Sequence, residues 1–166
     1  MSENDVYSGR CYCGAVTVSV QGAPLAAGLC HCEDCQKFHA APFMAWNVWP
    51  SDQVEIGGDT NASTKSPHLQ RVSCKACGGN VMGVLPDMGM TVVFPSTLKH
   101  SGLAFTPQFH QFYGEHVVSF ADGLPKYANK PAEFGGDGER IDEPATTQWR
   151  KWRTWRNDCG LAVYFA

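Results

Sequence analysis

Seven of the eight cysteines fall in three short clusters: Cys11-x-Cys13-Gly14, Cys30-x-Cys32-x-x-Cys35 and Cys74-x-x-Cys77-Gly78-Gly79. This spacing restricts the folds open to the chain more than any other feature. Zinc takes thiolates at about 2.3 Å in a tetrahedron, and one short loop supplies two corners when its cysteines are one or two residues apart. Gly14 and Gly78 follow directly on the second thiol of a pair, where a tight turn needs a residue that tolerates positive φ. Two pairs and a triplet divide into a closed four-thiolate site, Cys11, Cys13, Cys74 and Cys77, and a second site of Cys30, Cys32 and Cys35 with room for a fourth ligand. A closed tetrahedron is structural, whereas three protein ligands and an exchangeable position describe a catalytic zinc. Three thiolates leave the ion net anionic, so it is expected to capture and ionise a substrate thiol rather than water. Spacing alone leaves three alternatives open. Disulfides would be strained between residues one apart. A redox dithiol at Cys74 and Cys77 would sit in alternating strands and helices, which this region lacks. Two purely structural metals would need a protein side chain to complete the second.

Thiols in such numbers stay free only in a reducing compartment. The residues Met1-Ser2-Glu3-Asn4-Asp5 are acidic and polar where an export signal begins basic and apolar, so a cytoplasmic location is expected. Apolar residues make up 43% and charged residues 17%, the composition of a globular domain. No run approaches the roughly 20 apolar residues of a membrane span. A net charge of −3, made more negative by thiolate-bound zinc, gives no field to attract nucleic acid. Neither a membrane nor a nucleic-acid partner is expected.

Val16, Val18 and Val20 alternate with Thr17 and Ser19, the period-two signature of a half-buried strand. From Arg10 to Gln21 this predicts a hairpin whose first turn holds two thiols. Short β-type runs follow at Met44 to Trp49, Leu69 to Ser73, Asn80 to Leu85, Met90 to Phe94, Phe109 to Tyr113 and His116 to Phe120, separated by turn formers. The fold class is therefore mostly β, built of short strands, with no helix in this region beyond a short turn after Cys32 and with a C-terminal helical tail. Residues 1–131 form the zinc-binding domain. Residues 132–166 are a linker and an aromatic, basic tail packed on it, and Asn129 to Pro144 is rich in Gly, Pro and charge. Trp149, Trp152 and Trp155 sit three apart beside Arg150, Arg153 and Arg156, which predicts a C-terminal helix docked on the core or on a twin subunit as a homodimer contact.

At these motifs the chain resembles the glutathione-dependent formaldehyde-activating enzyme family, which includes a centromere-protein branch. The likeness lies in Cys11-x-Cys13-Gly14 followed by alternating valines, in Cys30-His31-Cys32-x-x-Cys35-x-Lys37, and in Arg71-x-x-Cys74-x-x-Cys77-Gly78. Ser96-Thr97-Leu98 and Asp122-Gly123-Leu124-Pro125 are weaker landmarks, so the resemblance runs from about Gly9 to Pro131. It implies an Mss4-like β-tent of short antiparallel strands. It also implies a structural zinc on Cys11, Cys13, Cys74 and Cys77, and a catalytic zinc on Cys30, Cys32 and Cys35. The activity implied is that of a carbon-sulfur lyase, in which glutathione and formaldehyde give S-hydroxymethylglutathione. Gln36, Lys37, Phe38, His39 and Ala40 stand where the family usually has Arg-Lys, a small hydroxyl residue and glycine.

His31 alternates with Cys30 and Cys32, so in an extended segment its ring points away from a metal the two sulfurs share. His39, four residues after Cys35, either lines the pocket or completes the tetrahedron. Lys37 is either solvated or attracts a substrate carboxylate, and His100, His110 and His116 are candidate proton carriers. Cys159 stands alone and is expected to be a buried or idle thiol, the lesser alternative being a fourth zinc ligand. Two functions from different classes follow: a zinc enzyme acting on a small-molecule thiol or its aldehyde adduct, and a zinc-stapled protein-binding module using the tryptophan tail.

Overall fold

Val16, Val18 and Val20 are buried while Thr17 is exposed and Ser19 half-buried, as a pleated strand with one apolar face requires. The computed structural model describes residues 5–66 and 68–150. In chain order its strands are β1 (Val6–Arg10), β2 (Thr17–Gln21), β3 (Ala26–Cys30), β4 (Met44–Pro50), β5 (Val54–Gly57), β6 (Thr60–Ser66), β7 (Leu69–Cys74), β8 (Asn80–Leu85), β9 (Met90–Val93), β10 (His110–Gln111), β11 (Val118–Ser119) and β12 (Gln148–Trp149). One helix, α1 (Glu33–His39), lies between β3 and β4. The fold is mostly β, as the sequence predicts.

β1 and β2 form the expected hairpin, with Cys11 and Cys13 in its turn, and β5 adds a third strand to β2. The larger sheet has the order β10-β3-β4-β9-β8-β7-β6. All its pairings are antiparallel except that of β10 with β3. β4 is buried on both faces, and its pleat divides two cores. Trp49 packs with Val16, Val18, Val72, Val81 and Val93 in the first, while Trp46 and Val48 join Ala26, Cys30, Cys35 and Phe109 in the second. Trp49 also donates its indole N–H to the Gly22 carbonyl at 3.2 Å, so its polar end is satisfied at full burial.

The chain departs from its sequence pattern in three places. The segment after Cys32 is a true helix rather than a turn. The Cys32 sulfur caps it by accepting the Cys35 amide at 3.4 Å, Glu33 and Asp34 fill its first turn, and Lys37 and His39 fill its last, each sign matched to the helix dipole. Only Cys35 is buried on α1, so no apolar stripe marks it in the sequence. The run from Phe109 to Tyr113 keeps only two strand residues because Phe112 adopts φ 54°, which ends the extended backbone. Finally, the helix predicted from Trp149 does not begin there, because Gln148 and Trp149 pair antiparallel with Val118 and Ser119. Trp152, Trp155 and Cys159 lie outside the described residues. The stretch from 129 to 144 runs back along the body, with Phe134 against Phe109 at 5.4 Å and Ala128 donating to the Glu139 carbonyl. Among the described residues no helix is long and apolar enough to cross a membrane.

Candidate metal centres

Two turns bring the first four sulfurs together. The Gly14 amide donates to the Cys11 carbonyl at 3.1 Å, and the Gly78 amide donates to the Cys74 carbonyl at 2.8 Å. Both glycines hold positive φ, 84° and 71°, which a side chain would strain. The sulfurs of Cys11, Cys13, Cys74 and Cys77 all lie within 4.8 Å of one another. Cys11 and Cys13 are 3.6 Å apart, and Cys13 and Cys74 are 3.8 Å apart. A zinc tetrahedron with bonds of about 2.3 Å has edges of about 3.8 Å, so the donor set has the size of that ion. Backbone amides support the negative form. Burial raises the Cys11 thiol, yet the Val16 amide, 3.3 Å from its sulfur, and the neighbouring Cys74 and Cys13 bring it down to about 6. The Gly79 amide lowers Cys77.

The second cluster is built differently. β3 ends at Cys30, Cys32 caps α1, and Cys35 is the buried residue of that helix. Their sulfurs also lie within 4.8 Å of one another, with no fourth His, Cys, Asp or Glu in the group among the described residues. Cys30 donates to Cys32 at 3.5 Å. That bond, joined by one from Cys35, pulls the Cys32 thiol down to about 3, while the bonds to Cys32 and Cys35 together with burial push Cys30 well above its ordinary range. Three crowded thiols can thus release one proton easily and resist releasing the rest. A divalent cation removes that conflict, so the donor set fits a soft metal.

All three sulfurs line one cavity of ≈ 380 Å³. Arg71 reaches it from β7. Only 7% exposed, this guanidinium lies 3.9 Å from the Cys35 sulfur and 5.2 Å from the Phe38 ring centre. On the same strand Cys74 belongs to the four-sulfur cluster, so β7 touches both centres. His39 lines the cavity with its Nδ1 3.4 Å from the Asn80 amide and stands outside the sulfur triad's ligand group. Burial and then the Arg71 charge push it down to about 4, so it is a neutral imidazole at pH 7. Lys37 does not line the cavity. Its ammonium pairs with Glu33 at 2.7 Å.

Behind the triad lies a buried polar chain that spacing did not reveal. His31 and His110 are both 0% exposed, with His31 Nε2 2.8 Å from His110 Nδ1 and His110 Nε2 2.9 Å from Asp122. The Asp122 carboxylate fixes the tautomers, since it accepts from His110 Nε2, which leaves His110 Nδ1 to accept from His31. Burial alone would raise Asp122, but the Lys126 ammonium at 2.8 Å, together with His110, holds it below its usual range. This chain clamps β3 against β10 immediately behind Cys30 and Cys32. His116 belongs to the same nest, stacked on Tyr113 at 4.1 Å, whereas His100 is exposed. The sequence singles out His31 and His110 separately and Asp122 only as the first residue of the Asp-Gly-Leu-Pro landmark, with nothing in the spacing to join them.

Substituting His110→Ala leaves the buried His31 without its partner, while the exposed Asp122 keeps its bond to Lys126. We expect a loss of about 2–4 kcal/mol in urea unfolding. In a competitive zinc titration, metal binding at the triad should weaken by about tenfold or more, with the four-sulfur site unchanged. A second expectation concerns acid. Burial pushes His31 down to about 3, so its unfolded form takes up a proton at about pH 6.5 that the folded form refuses. The stability it contributes is complete above that pH and declines as pH falls toward 3. Its ring Cε1–H resonance should stay flat from about pH 8 to 5; a midpoint near 6.5 would show that the ring is not shielded.

The family comparison can now be set beside this geometry. A model of the glutathione-dependent formaldehyde-activating enzymes matches residues 6–115. The chain belongs to that family. The match takes in all seven clustered cysteines, His31, Arg71 and His110. An uncharacterized lyase of Schizosaccharomyces pombe is 29% identical over 72 residues, 43% of this chain and 53% of that protein. The chain thus spans about half the length of this curated relative. A crystal structure of a Rhodobacter sphaeroides protein aligns with a TM-score of 0.48 at 17% identity, covering 58% of this chain and 90% of that one.

Proposed function

We propose that this formaldehyde-activating-enzyme family member is a zinc-dependent enzyme of the carbon-sulfur lyase type, acting on the adduct of a thiol and an aldehyde. The reading is supported above all by three sulfurs that line a cavity of ≈ 380 Å³ without a fourth donor in their group among the described residues. On this reading Cys11, Cys13, Cys74 and Cys77 hold a structural zinc in an Mss4-like β-tent, and Cys30, Cys32 and Cys35 hold a second, exchangeable one. A zinc at the triad would supply an electrophilic position that lowers the pKa of a thiol. The neutral His39 imidazole on the same wall is the base able to take up the thiol proton and return it. Arg71 beside Cys35 offers donors to the oxygen of the adduct. The chemistry needs no oxidant and leaves the clustered sulfurs unoxidised, which suits a reducing, cytoplasmic setting.

The test is NMR exchange spectroscopy of aldehyde and thiol pairs, beginning with formaldehyde and glutathione, in the presence and absence of protein holding two zincs per chain. Faster exchange between free aldehyde and adduct is the expected result. If metal content after zinc addition never rises above one per chain, the exchangeable centre is removed and the reading with it. The rival reading, a zinc-stapled binding module, starts from Trp149, which is 69% exposed. Its remaining indoles lie outside the described residues.

A further inference from the structure

Beyond the three sulfurs the cavity is walled mainly by hydrocarbon and thioether groups. Met44, Trp46 and Val48 are alternate residues of β4, and Met90 and Val92 are alternate residues of the neighbouring β9. Alternate positions on paired strands share a face, so these five side chains make one continuous apolar floor. Phe134 adds to it. The polar groups on the wall are few, although Trp46 Nε1, His39 Nε2 and Arg71 Nε make no hydrogen bond among the described residues. Asp34 is paired with Lys65 at 2.8 Å. Arg71 is packed between the Cys35 sulfur and the Phe38 ring, and His39 is set against Asn80. Gln111 and Lys130 remain.

Such a site is poorly matched to glutathione, whose carboxylates, ammonium and peptide groups would have to leave water for a surface with too few partners. It is well matched to a thiol or aldehyde bearing an aryl or alkyl group, because thioether side chains adapt their shape to apolar ligands. We propose that the substrate of this chain is an apolar hemithioacetal, or the thiol and aldehyde that form it. Its sulfur faces Cys30, Cys32 and Cys35, and its hydrocarbon lies on the floor made by β4 and β9. This rests on the reactive-triad reading above and narrows it. Arg71 Nε makes no hydrogen bond among the described residues and, with the equally unpartnered Trp46 Nε1, is a donor available to the adduct oxygen. In the forming direction the thiol sulfur bonds to the carbonyl carbon, the π pair moves to oxygen, and the thiol proton ends there. Cleavage reverses each step, and nothing is oxidised.

The experiment is a titration of the zinc-loaded, ¹⁵N-labelled full chain with phenylmethanethiol and, separately, with glutathione. It follows the backbone amides of Cys30 to Cys35 and of β4 and β9. Phenylmethanethiol is expected to shift both groups and to bind at least about tenfold more tightly than glutathione. Met44→Gln, accepted only if zinc content and melting temperature are retained, should shrink that preference. Equal or tighter binding of glutathione, or a preference untouched by Met44→Gln, overturns the apolar-substrate assignment and leaves the reactive triad standing. If neither thiol shifts Cys30 to Cys35, the triad reading fails and this assignment falls with it.

Discussion

Replacing Cys13 or Cys74 with serine is expected to abolish the cooperatively folded state. The two positions separate metal from packing. Cys74 is 0% exposed among Val16, Val72 and Val81, so Cys74→Ser both removes a donor and places a hydroxyl in hydrocarbon. Cys13 is exposed and contributes little burial, so Cys13→Ser tests the donor alone. A structural four-thiolate zinc contributes on the order of 10–16 kcal/mol to folding, which matches or exceeds the roughly 5–15 kcal/mol net stability of a domain. Both variants should therefore lose near-UV circular dichroism and the sharp thermal transition. A Cys13→Ser protein that melts like the parent would show that packing alone sustains the fold.

The second large effect is the opposite kind. Cys32→Ser is expected to keep the fold and lose the chemistry. Serine is among the best helix N-caps, so its hydroxyl can accept the Cys35 amide that the Cys32 sulfur accepts now, and unfolding free energy should change by about 1 kcal/mol or less. What serine cannot supply is a soft anionic donor. Zinc content should fall from two per chain to one. The rate of adduct exchange should fall by about a thousandfold or more, the scale on which a metal's several kcal/mol of charge stabilisation acts. Retained exchange in a one-zinc Cys32→Ser protein would move the reaction away from the triad.

Much of this molecule is readable from its residues, but unevenly. Strands with one wet face announce themselves, as in the valines before and within β2. β3 does not, because all five of its residues are buried and Gly28 at its centre lies against Trp46, so nothing alternates. β6 is hidden for the converse reason, being an edge strand of polar residues, Thr60–Ser66. The cysteine clusters are local, and spacing alone groups them as the fold does. The clamp behind the triad is not local. His31 meets His110, 79 positions further along the sequence, only because β10 pairs with β3 in parallel, and no periodicity encodes that. Arg71 sits in the middle of β7, and a charged residue at an inward strand position is a signal only once the direction of inward is known.

The pleat of β4 has one more consequence. Trp46 and Val48 look toward the cavity, while Trp49, one residue further, closes the core that the four-sulfur staple holds. Substitutions on the cavity side leave the opposite side's packing in place, because successive side chains of a strand never share a surface. After gene duplication, a chain of this design can drift toward new molecules at alternate positions of a single strand while its scaffold remains under unchanged selection. One cysteine pattern can therefore persist across relatives whose chemistry has diverged.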